Sequence, residues 1–277
     1  MKLRESSLSS GWYPHNPLEI SRFLSEWDTA EGPASKESGA YAAIAPHAGW
    51  RYSGKIAAAA MASMNRAVDT LVIIGGHLPA GYPPLFAMED AVNTPLGIMK
   101  LNTHLRSALI KEIGGEEDRF PDNTVEVLLP MARFFFPDSV LLWVRLPAEM
   151  KSFEAGKAIA AARGMGFTMA VVASTDLTHY GAHFGFAPMG IGHEALRWMK
   201  GNDRHFIDAV ISGDPAAVLE RAEKDMSSCS AGAVLGAMGF AAAGNLGSAH
   251  LLEYGTSADD NPSADSYVGY AALSFRE

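Results

Sequence analysis

The stretch Leu71-Val72-Ile73-Ile74-Gly75-Gly76-His77 is a short apolar run that ends in two glycines and a histidine. Two other segments, 41–47 and 171–179, have the same form, an apolar run followed by a turn that contains a histidine. Apolar runs of this length, rich in small or β-branched residues and ended by Gly, Pro or Ser, are typical of buried strands in a parallel sheet. The sequence therefore predicts three such strands, with a histidine at or just beyond the carboxyl end of each: His47, His77 and His179.

The rest of the chain alternates between helical and strand patterns. Helices are predicted over 17–27, 54–65, 103–113, 124–135, 152–163, 193–211, 215–223 and 231–243, and further strands over 85–88, 95–100, 140–146, 250–254 and 267–275. The polar segment 28–39 is predicted as a surface loop. Because no long Pro-, Gly- or Ser-rich linker interrupts this alternation, the sequence predicts one α/β domain over residues 1–277. Its central sheet is expected to be mostly parallel or mixed, with helices on its flanks.

The composition excludes several classes of protein. The 277 residues are 48% hydrophobic and 19% charged, as in a globular protein with a substantial core. A formal charge of −9 argues against nucleic acid as a partner, since phosphate binding needs a basic surface. Neither a membrane span nor a secretory signal is evident, and a single cysteine fits a reducing compartment. We therefore expect a cytoplasmic protein without nucleic-acid or membrane partners, and the sequence leaves its oligomeric state open.

The three histidines are predicted to converge, because open α/β sheets bind ligands outside the carboxyl ends of their strands. Asp176 adds a carboxylate three residues before His179. A carboxylate can fix the tautomer of a ligand histidine or bind a metal directly, and an imidazole can accept a proton near neutral pH. Taken singly, His47 or His77 could equally be a buried structural histidine bonded to the backbone.

Cys229 is the only cysteine, and it is predicted at the start of the apolar helix 231–243. A helix N-terminus stabilises the thiolate, which is the metal-binding and nucleophilic form. Most single cysteines are inert core residues, but serines on both sides make this segment polar. Two imidazoles and this thiolate would suit Fe(II), Zn(II) or copper with coordination positions left open, and thiolate disfavours magnesium and calcium.

Segments from one end of the chain to the other resemble the Memo family, which includes the proteins called AmmeMemoRadiSam system protein B. The matching segments are 11–14, 46–54, 75–77, 174–179, 229 and 266–270. That family is similar in fold to class III extradiol ring-cleaving dioxygenases, whose iron is held by two histidines and a glutamate. The resemblance implies that His47 and His77 are metal ligands and that Cys229 takes the place of the glutamate. It also implies that Asp176 and His179 complete the pocket, with His179 as the acid/base residue.

The chain departs from the family's pattern in two places. Where the family often has Glu-His-Ser, then Glu and then Gln-Leu-Pro, this chain has Asp122-Asn123-Thr124, Glu126 and Leu128-Leu129-Pro130. Ser230 stands where a glycine commonly follows the cysteine. Glu126 could face the site from a helix start, and packing or capping explains it equally well.

Three hypotheses about function follow. The leading one is a non-haem-iron-dioxygenase-like protein that carries out redox chemistry with one transition-metal ion, iron first and copper or zinc as alternatives. In it, His179 is the acid/base residue and Asp176 orients His179 or serves as an extra ligand. The second is a non-catalytic scaffold that binds a peptide or small molecule in the same cleft, which the resemblance allows. An occluded pocket with a direct His47–Asp176 pair would favour it. The third, a hydrolase or transferase with a Cys229–His pair, leaves the other histidines without a role.

Overall fold

The computed structural model describes residues 1–28, 39–261 and 265–276, so most of the predicted loop 28–39 lies outside the described residues. The strands are β1 (Leu3–Arg4), β2 (Ala42–Ala45), β3 (Thr70–Leu78), β4 (Leu85–Phe86), β5 (Ala91–Val92), β6 (Met99–Lys100), β7 (Glu116–Glu117), β8 (Val140–Pro147), β9 (Met169–Ser174), β10 (His179–Gly181), β11 (Ala249–Thr256) and β12 (Ser266–Phe275). The α-helices are α1 (Pro17–Trp27), α2 (Trp50–Ala62), α3 (Thr103–Ile113), α4 (Asn123–Glu126), α5 (Leu129–Phe135), α6 (Lys151–Ala161), α7 (His193–Ile211), α8 (Pro215–Lys224) and α9 (Ala231–Ala243).

A mixed sheet of nine strands lies at the centre of the fold. Four parallel strands form its middle in the order β2-β9-β3-β8. Antiparallel β12 pairs with β2 and carries β10 and β11, while β4 and then β7 extend the sheet beyond β8. A small second sheet joins β1, β5 and β6. The predicted α/β fold with a mixed sheet and flanking helices is confirmed, and it is consistent with the extradiol-dioxygenase-like fold that the resemblance implies.

Both faces of the sheet are covered, which explains why its strands read as unbroken apolar runs. Successive side chains of a strand point to opposite faces. Leu71 and Ile73 of β3 accordingly belong to one buried cluster, together with residues of α1, α2 and α5. Val72 and Ile74 belong to the other cluster, together with residues of α6, α7 and α9.

Helix α9 packs against α6 through glycines. A Cβ atom added at Gly156 of α6 would lie 1.9 Å from the carbonyl oxygen of Gly236 in α9. A Cβ atom added at Gly239 would lie 1.9 Å from the carbonyl oxygen of Phe153. The two helices therefore approach to backbone contact, and this fixes the position of α9, which begins two residues after Cys229.

Several elements differ from their predicted bounds. The helix predicted from residue 54 begins at Trp50, because Gly49 caps it directly after the His47 turn. The single helix predicted over 124–135 is two helices, α4 and α5. Pro130 lies in the first turn of α5, where a backbone N–H would have no partner within the helix, so the N–H that proline lacks costs no hydrogen bond. The strand predicted over 95–100 is shortened to β6. None of the described helices combines the length and the apolar character that crossing a membrane requires.

Candidate metal centre and cavity

The sheet register places the candidate side chains at one edge. Ala45 at the end of β2 lies opposite Ser174 at the end of β9, and Ile74 of β3 lies opposite Ala173. His47 follows β2 by two residues, and His77 is the last residue but one of β3. The carboxyl ends of the parallel strands therefore bring both histidines to one edge of the sheet.

The His/His/Cys cluster consists of His47, His77 and Cys229. Each offers one ligand atom, and these atoms all lie within 4.8 Å of one another. The Nε2 atom of His47 is 3.2 Å from the sulfur, and the two imidazole rings are 4.9 Å apart at an interplanar angle of 86°. Two imidazole nitrogens and one thiolate at these separations fit a single ion with bonds of about 2.0–2.3 Å. The residues present could thus hold one transition-metal ion.

The backbone before His77 is built for close approach. Cβ atoms added at Gly75 and Gly76 would lie 2.3 Å from the Thr124 hydroxyl oxygen and 2.3 Å from the Cβ atom of Ser230. Any side chain at these positions would push α4 and the start of α9 away from the sheet. His77 itself has a φ angle of 56° beside an irregularity in the strand register, a left-handed conformation that is uncommon outside glycine.

In both ligand histidines a hydrogen bond engages Nδ1. Nε2 is therefore the nitrogen that faces the cluster. The Nδ1 atom of His47 is 2.8 Å from the Ser174 hydroxyl. The Nδ1 atom of His77 is 3.1 Å from a carboxylate oxygen of Asp122. Because a carboxylate only accepts, Nδ1 of His77 carries the proton of this bond.

The electrostatics of the cluster favour the thiolate form of Cys229. Burial would raise the pKa of Cys229, but the charges and hydrogen bonds of His47 and His77 outweigh it and hold that pKa well below its usual value. Burial would lower the pKa of His77, but hydrogen bonds to Asp122 and Cys229 raise it to about 10. For His47 the charges of Cys229 and Asp176 likewise outweigh burial and raise the pKa. The thiolate is the form that binds metals.

Asp176 joins the His47 turn to Cys229. Its carboxylate accepts a hydrogen bond of 2.8 Å from the backbone N–H of His47, and its second oxygen lies 3.9 Å from Nε2 of that residue. Its backbone N–H donates to the Cys229 sulfur, and its carbonyl accepts from the Cys229 N–H, both at 3.3 Å. Asp176 therefore organises two members of the cluster at once.

A cavity of about 620 Å³ opens beside the cluster. Aromatic side chains, both ligand histidines and several hydroxyl and amide groups line it: Trp12, His47, Tyr52, His77, Asn123, Asp176, His179, His183, Phe184, Ser257, Asn261, Ser266 and Tyr270. Cys229 is not among the described residues that line it. Trp12 and Tyr52 face this cavity, while Tyr13 and Trp50 are core residues.

His179 begins β10 and lines this cavity. Its Nδ1 atom is 3.1 Å from the carbonyl oxygen of Leu177. Since a carbonyl cannot donate, Nδ1 carries the proton of this bond, and Nε2 of the neutral ring is an acceptor without a hydrogen-bond partner among the described residues. A backbone carbonyl thus orients the His179 ring, while the Asp176 carboxylate contacts His47.

Helix α7 holds the loop that carries Asp176 and His179, and sequence reasoning missed its two contributing residues. Buried Asp203 accepts hydrogen bonds from the Thr178 backbone at 2.9 Å and from the Tyr254 hydroxyl at 2.7 Å. Asn202 donates to the Thr178 hydroxyl at 3.0 Å. A Cβ atom at Gly269 would lie 2.0 Å from the Asp203 carboxylate, which explains a glycine in β12. A polar residue in an amphipathic helix gives no sequence signal of such a role.

Asp203 gives the fold a testable pH dependence. Burial raises its pKa from 3.8 to about 6 against the hydrogen bonds that lower it. The folded state then binds the proton more tightly, so this group's contribution to stability falls as the pH rises from about 4 to 7, by up to roughly 3 kcal/mol. Asp203→Asn should unfold in urea like the wild type at pH 4 and be the more stable protein at pH 7.5. An identical difference at both pH values would contradict this assignment.

The divergent segment 122–130 serves the site and the fold with different residues. Asn123 lines the cavity and donates a 3.0 Å hydrogen bond to the carbonyl oxygen of His47. Glu126 is buried and instead binds the N-terminal segment, accepting from the Ser6 hydroxyl at 2.8 Å and from the backbone N–H groups of Ser7 and Leu8 at 2.7 Å. Glu126 is therefore an anchor for the chain's start.

The mixed sheet and the two imidazoles and one thiol gathered at its strand ends define an α/β protein with a candidate His/His/Cys metal site beside an open cavity. The chain belongs to the Memo family, since the family model described as "Memo-like protein" matches residues 4–274. A MEMO1 family protein of Methanothermobacter thermautotrophicus is 30% identical over 294 residues, covering 98% of this chain and 100% of that one. MEMO1 family proteins of Methanopyrus kandleri and Pyrobaculum aerophilum are 27% and 29% identical, with 99% of each chain covered.

Proposed function

We propose that the protein binds one transition-metal ion at His47, His77 and Cys229 and uses it for oxidoreductase chemistry on a small organic molecule in the cavity. Iron is the metal of first choice, with copper or zinc as alternatives, because imidazole and thiolate ligands suit these metals. The observation that carries the proposal is the approach of three ligand atoms, from three distant segments, to within 4.8 Å of one another.

The chain's own residues have separate roles in this proposal. A bound redox-active ion would supply electron transfer or Lewis acidity. His179, whose Nδ1 is engaged by the Leu177 carbonyl, uses Nε2 to take a proton from a molecule in the cavity or to return one to it. Asp176 positions the His47 turn and Cys229. Trp12 and Tyr52 provide apolar walls that exclude water from part of the ligand.

The second candidate is a non-catalytic module that binds a peptide or small molecule in the same cleft. The aromatic walls and the size of the cavity favour it. Against it, the cavity is open, and the His47 ring lies closer to the Cys229 sulfur, at 3.2 Å, than to the Asp176 carboxylate, at 3.9 Å. The His47–Asp176 pair, which would favour a metal-free binding site, is thus the longer of these two His47 contacts.

A Cys229-based hydrolase has weaker support. The 3.2 Å contact with His47 would suit a thiolate–imidazole pair. A nucleophile must reach its substrate, however, and Cys229 is not among the described residues that line the cavity. This hypothesis also leaves the approach of His77 to the same sulfur without a purpose.

Oxygen uptake tests the proposed chemistry. Iron-loaded wild type, Cys229→Ala and His179→Ala are compared in an oxygen electrode with a panel of small organic reductants. We expect uptake by the wild type above that of Cys229→Ala. His179→Ala should retain its iron but react roughly 10²–10⁴-fold more slowly, the usual cost of losing an acid/base group.

Two results would count against the proposed chemistry. Uptake by the wild type no faster than by Cys229→Ala across the panel would contradict a redox role for the cluster. Peptide or small-molecule binding of equal strength with and without iron, in the absence of any uptake, would support the binding-module hypothesis instead.

A further inference from the structure

A buried polar network lies behind His77, on the side of the ring away from the cluster. We propose that Asp122, held in place by Arg145 and Asp118, is the positioning residue that fixes the His77 ring with Nε2 toward the metal ion. The inference rests on the proposed metal site and adds residues to it that are not ligands. It concerns the affinity of the site for metal, whatever reaction the site performs.

The first step is the contact between the ring and the carboxylate. The Nδ1 atom of His77 lies 3.1 Å from Asp122, whose side chain is 10% exposed. A carboxylate that accepts from one ring nitrogen fixes the tautomer and makes the other nitrogen the better metal ligand. The ring of His47 is oriented by the neutral Ser174 hydroxyl, so only His77 has a charged partner of this kind.

The second step is that Asp122 is itself immobilised. One carboxylate oxygen accepts from the Thr124 backbone at 2.8 Å and from the Thr124 hydroxyl, as the N-cap of α4. The other oxygen, which meets His77, also lies 3.1 Å from a terminal nitrogen of Arg145. The orientation of the carboxylate is therefore set before any metal binds.

The third step is that the Arg145 guanidinium contacts both the backbone before His77 and the carboxylate that meets the His77 ring. Its Nε atom donates to the carbonyl oxygen of Gly76, the residue before His77, at 2.9 Å. One terminal nitrogen meets Asp122, and the other meets buried Asp118 at 3.1 Å. Asp118 also accepts from the Trp143 indole at 2.9 Å. A single planar guanidinium thus fixes the left-handed His77 backbone and its carboxylate partner together.

The charges of the network favour a cation at the cluster. Within this network the carboxylates of Asp118 and Asp122 outnumber the single guanidinium of Arg145 by one, and both Asp118 and Arg145 are buried. Arginine suits the position because its rigid fork reaches three acceptors at once, which a lysine ammonium on a flexible stem does not.

The test measures zinc affinity by competition with a colorimetric chelator. Asp122→Asn keeps the shape of the side chain without its charge, and Asp122→Ala removes both. Glu126→Gln is the matched control, since it alters a nearby buried carboxylate that accepts hydrogen bonds from the N-terminal segment. We expect Asp122→Ala to bind zinc roughly 10–100-fold more weakly than the wild type, Asp122→Asn to lie between them, and Glu126→Gln to match the wild type.

A spectroscopic measurement separates positioning from a general loss of stability. In zinc-loaded protein with ¹⁵N-labelled histidine, the Nδ1 proton of His77 should give a resonance protected from exchange, and Asp122→Ala should lose it. Unchanged affinity and an unchanged Nδ1 resonance in both Asp122 variants would overturn the inference. Equal weakening in Glu126→Gln would also overturn it. Failure of the wild type to bind any metal would overturn the proposed function as well, so the two failures are distinguishable.

Discussion

Protein purified without chelator is expected to hold one metal ion per chain, and His47→Ala, His77→Ala and Cys229→Ala should each lose it on dialysis. Each variant removes one of three ligands, so the loss of affinity should exceed the roughly 10–100-fold that removal of an outer partner of a ligand causes. Elemental analysis of each dialysed protein, normalised to protein concentration, measures the effect directly.

The control for this experiment is His205→Ala, which removes an exposed histidine of α7. It should keep the metal content of the wild type. Equal metal in His47→Ala and in the wild type would defeat the proposed site, because it would place the ion elsewhere. Circular dichroism spectra that match the wild type would show that metal loss does not come from unfolding.

Gly239→Ala is expected to destabilise the fold by about 3 kcal/mol or more, at the upper end of what overpacking usually costs. The added methyl group would lie 1.9 Å from the carbonyl oxygen of Phe153. A backbone oxygen cannot rotate away as a side chain can, so α6 and α9 must move apart. Since Cys229 lies two residues before the start of α9, we expect weaker metal binding as well. Urea unfolding of the metal-free protein gives the free energy of unfolding.

The same substitution at Gly201 is the matched control. Gly201 lies within α7, and a Cβ atom added there meets no atom within 4 Å. Gly201→Ala should therefore stabilise the protein by about 0.5–1 kcal/mol, the usual gain when alanine replaces glycine inside a helix. If Gly239→Ala proved as stable as Gly201→Ala, the close contact between α6 and α9 would be wrong.

Much of the fold could be predicted because each buried strand leaves a local signal. The apolar runs before His47, His77 and His179 mark β2, β3 and β9, and two-sided burial of the sheet explains their composition. Short strands such as β7 and β10 leave no such signal. Their pairing depends on partners far along the chain, as between His179 and Val268.

The candidate ligands could be predicted for the same reason, since strand ends and a helix start are visible in a sequence. The residues that support them could not. Asp122 lies 45 residues from His77. It belongs to a segment that departs from the family's pattern, and nothing in that segment's sequence indicates a contact with His77. Arg145 lies within the apolar run of β8, where only the folded structure shows that its guanidinium reaches Gly76, Asp118 and Asp122.

The most direct test of the metal site is the X-ray absorption spectrum of freshly purified, metal-bearing protein at the edge of its metal. Coordination by His47, His77 and Cys229 predicts one sulfur scatterer at about 2.3 Å and imidazole nitrogens at about 2.0–2.1 Å for a zinc-loaded sample. Cys229→Ser should lose the sulfur scatterer while any remaining metal keeps its nitrogen neighbours. A spectrum with only nitrogen and oxygen neighbours in the wild type, or a sulfur scatterer that persists in Cys229→Ser, would contradict the proposed site.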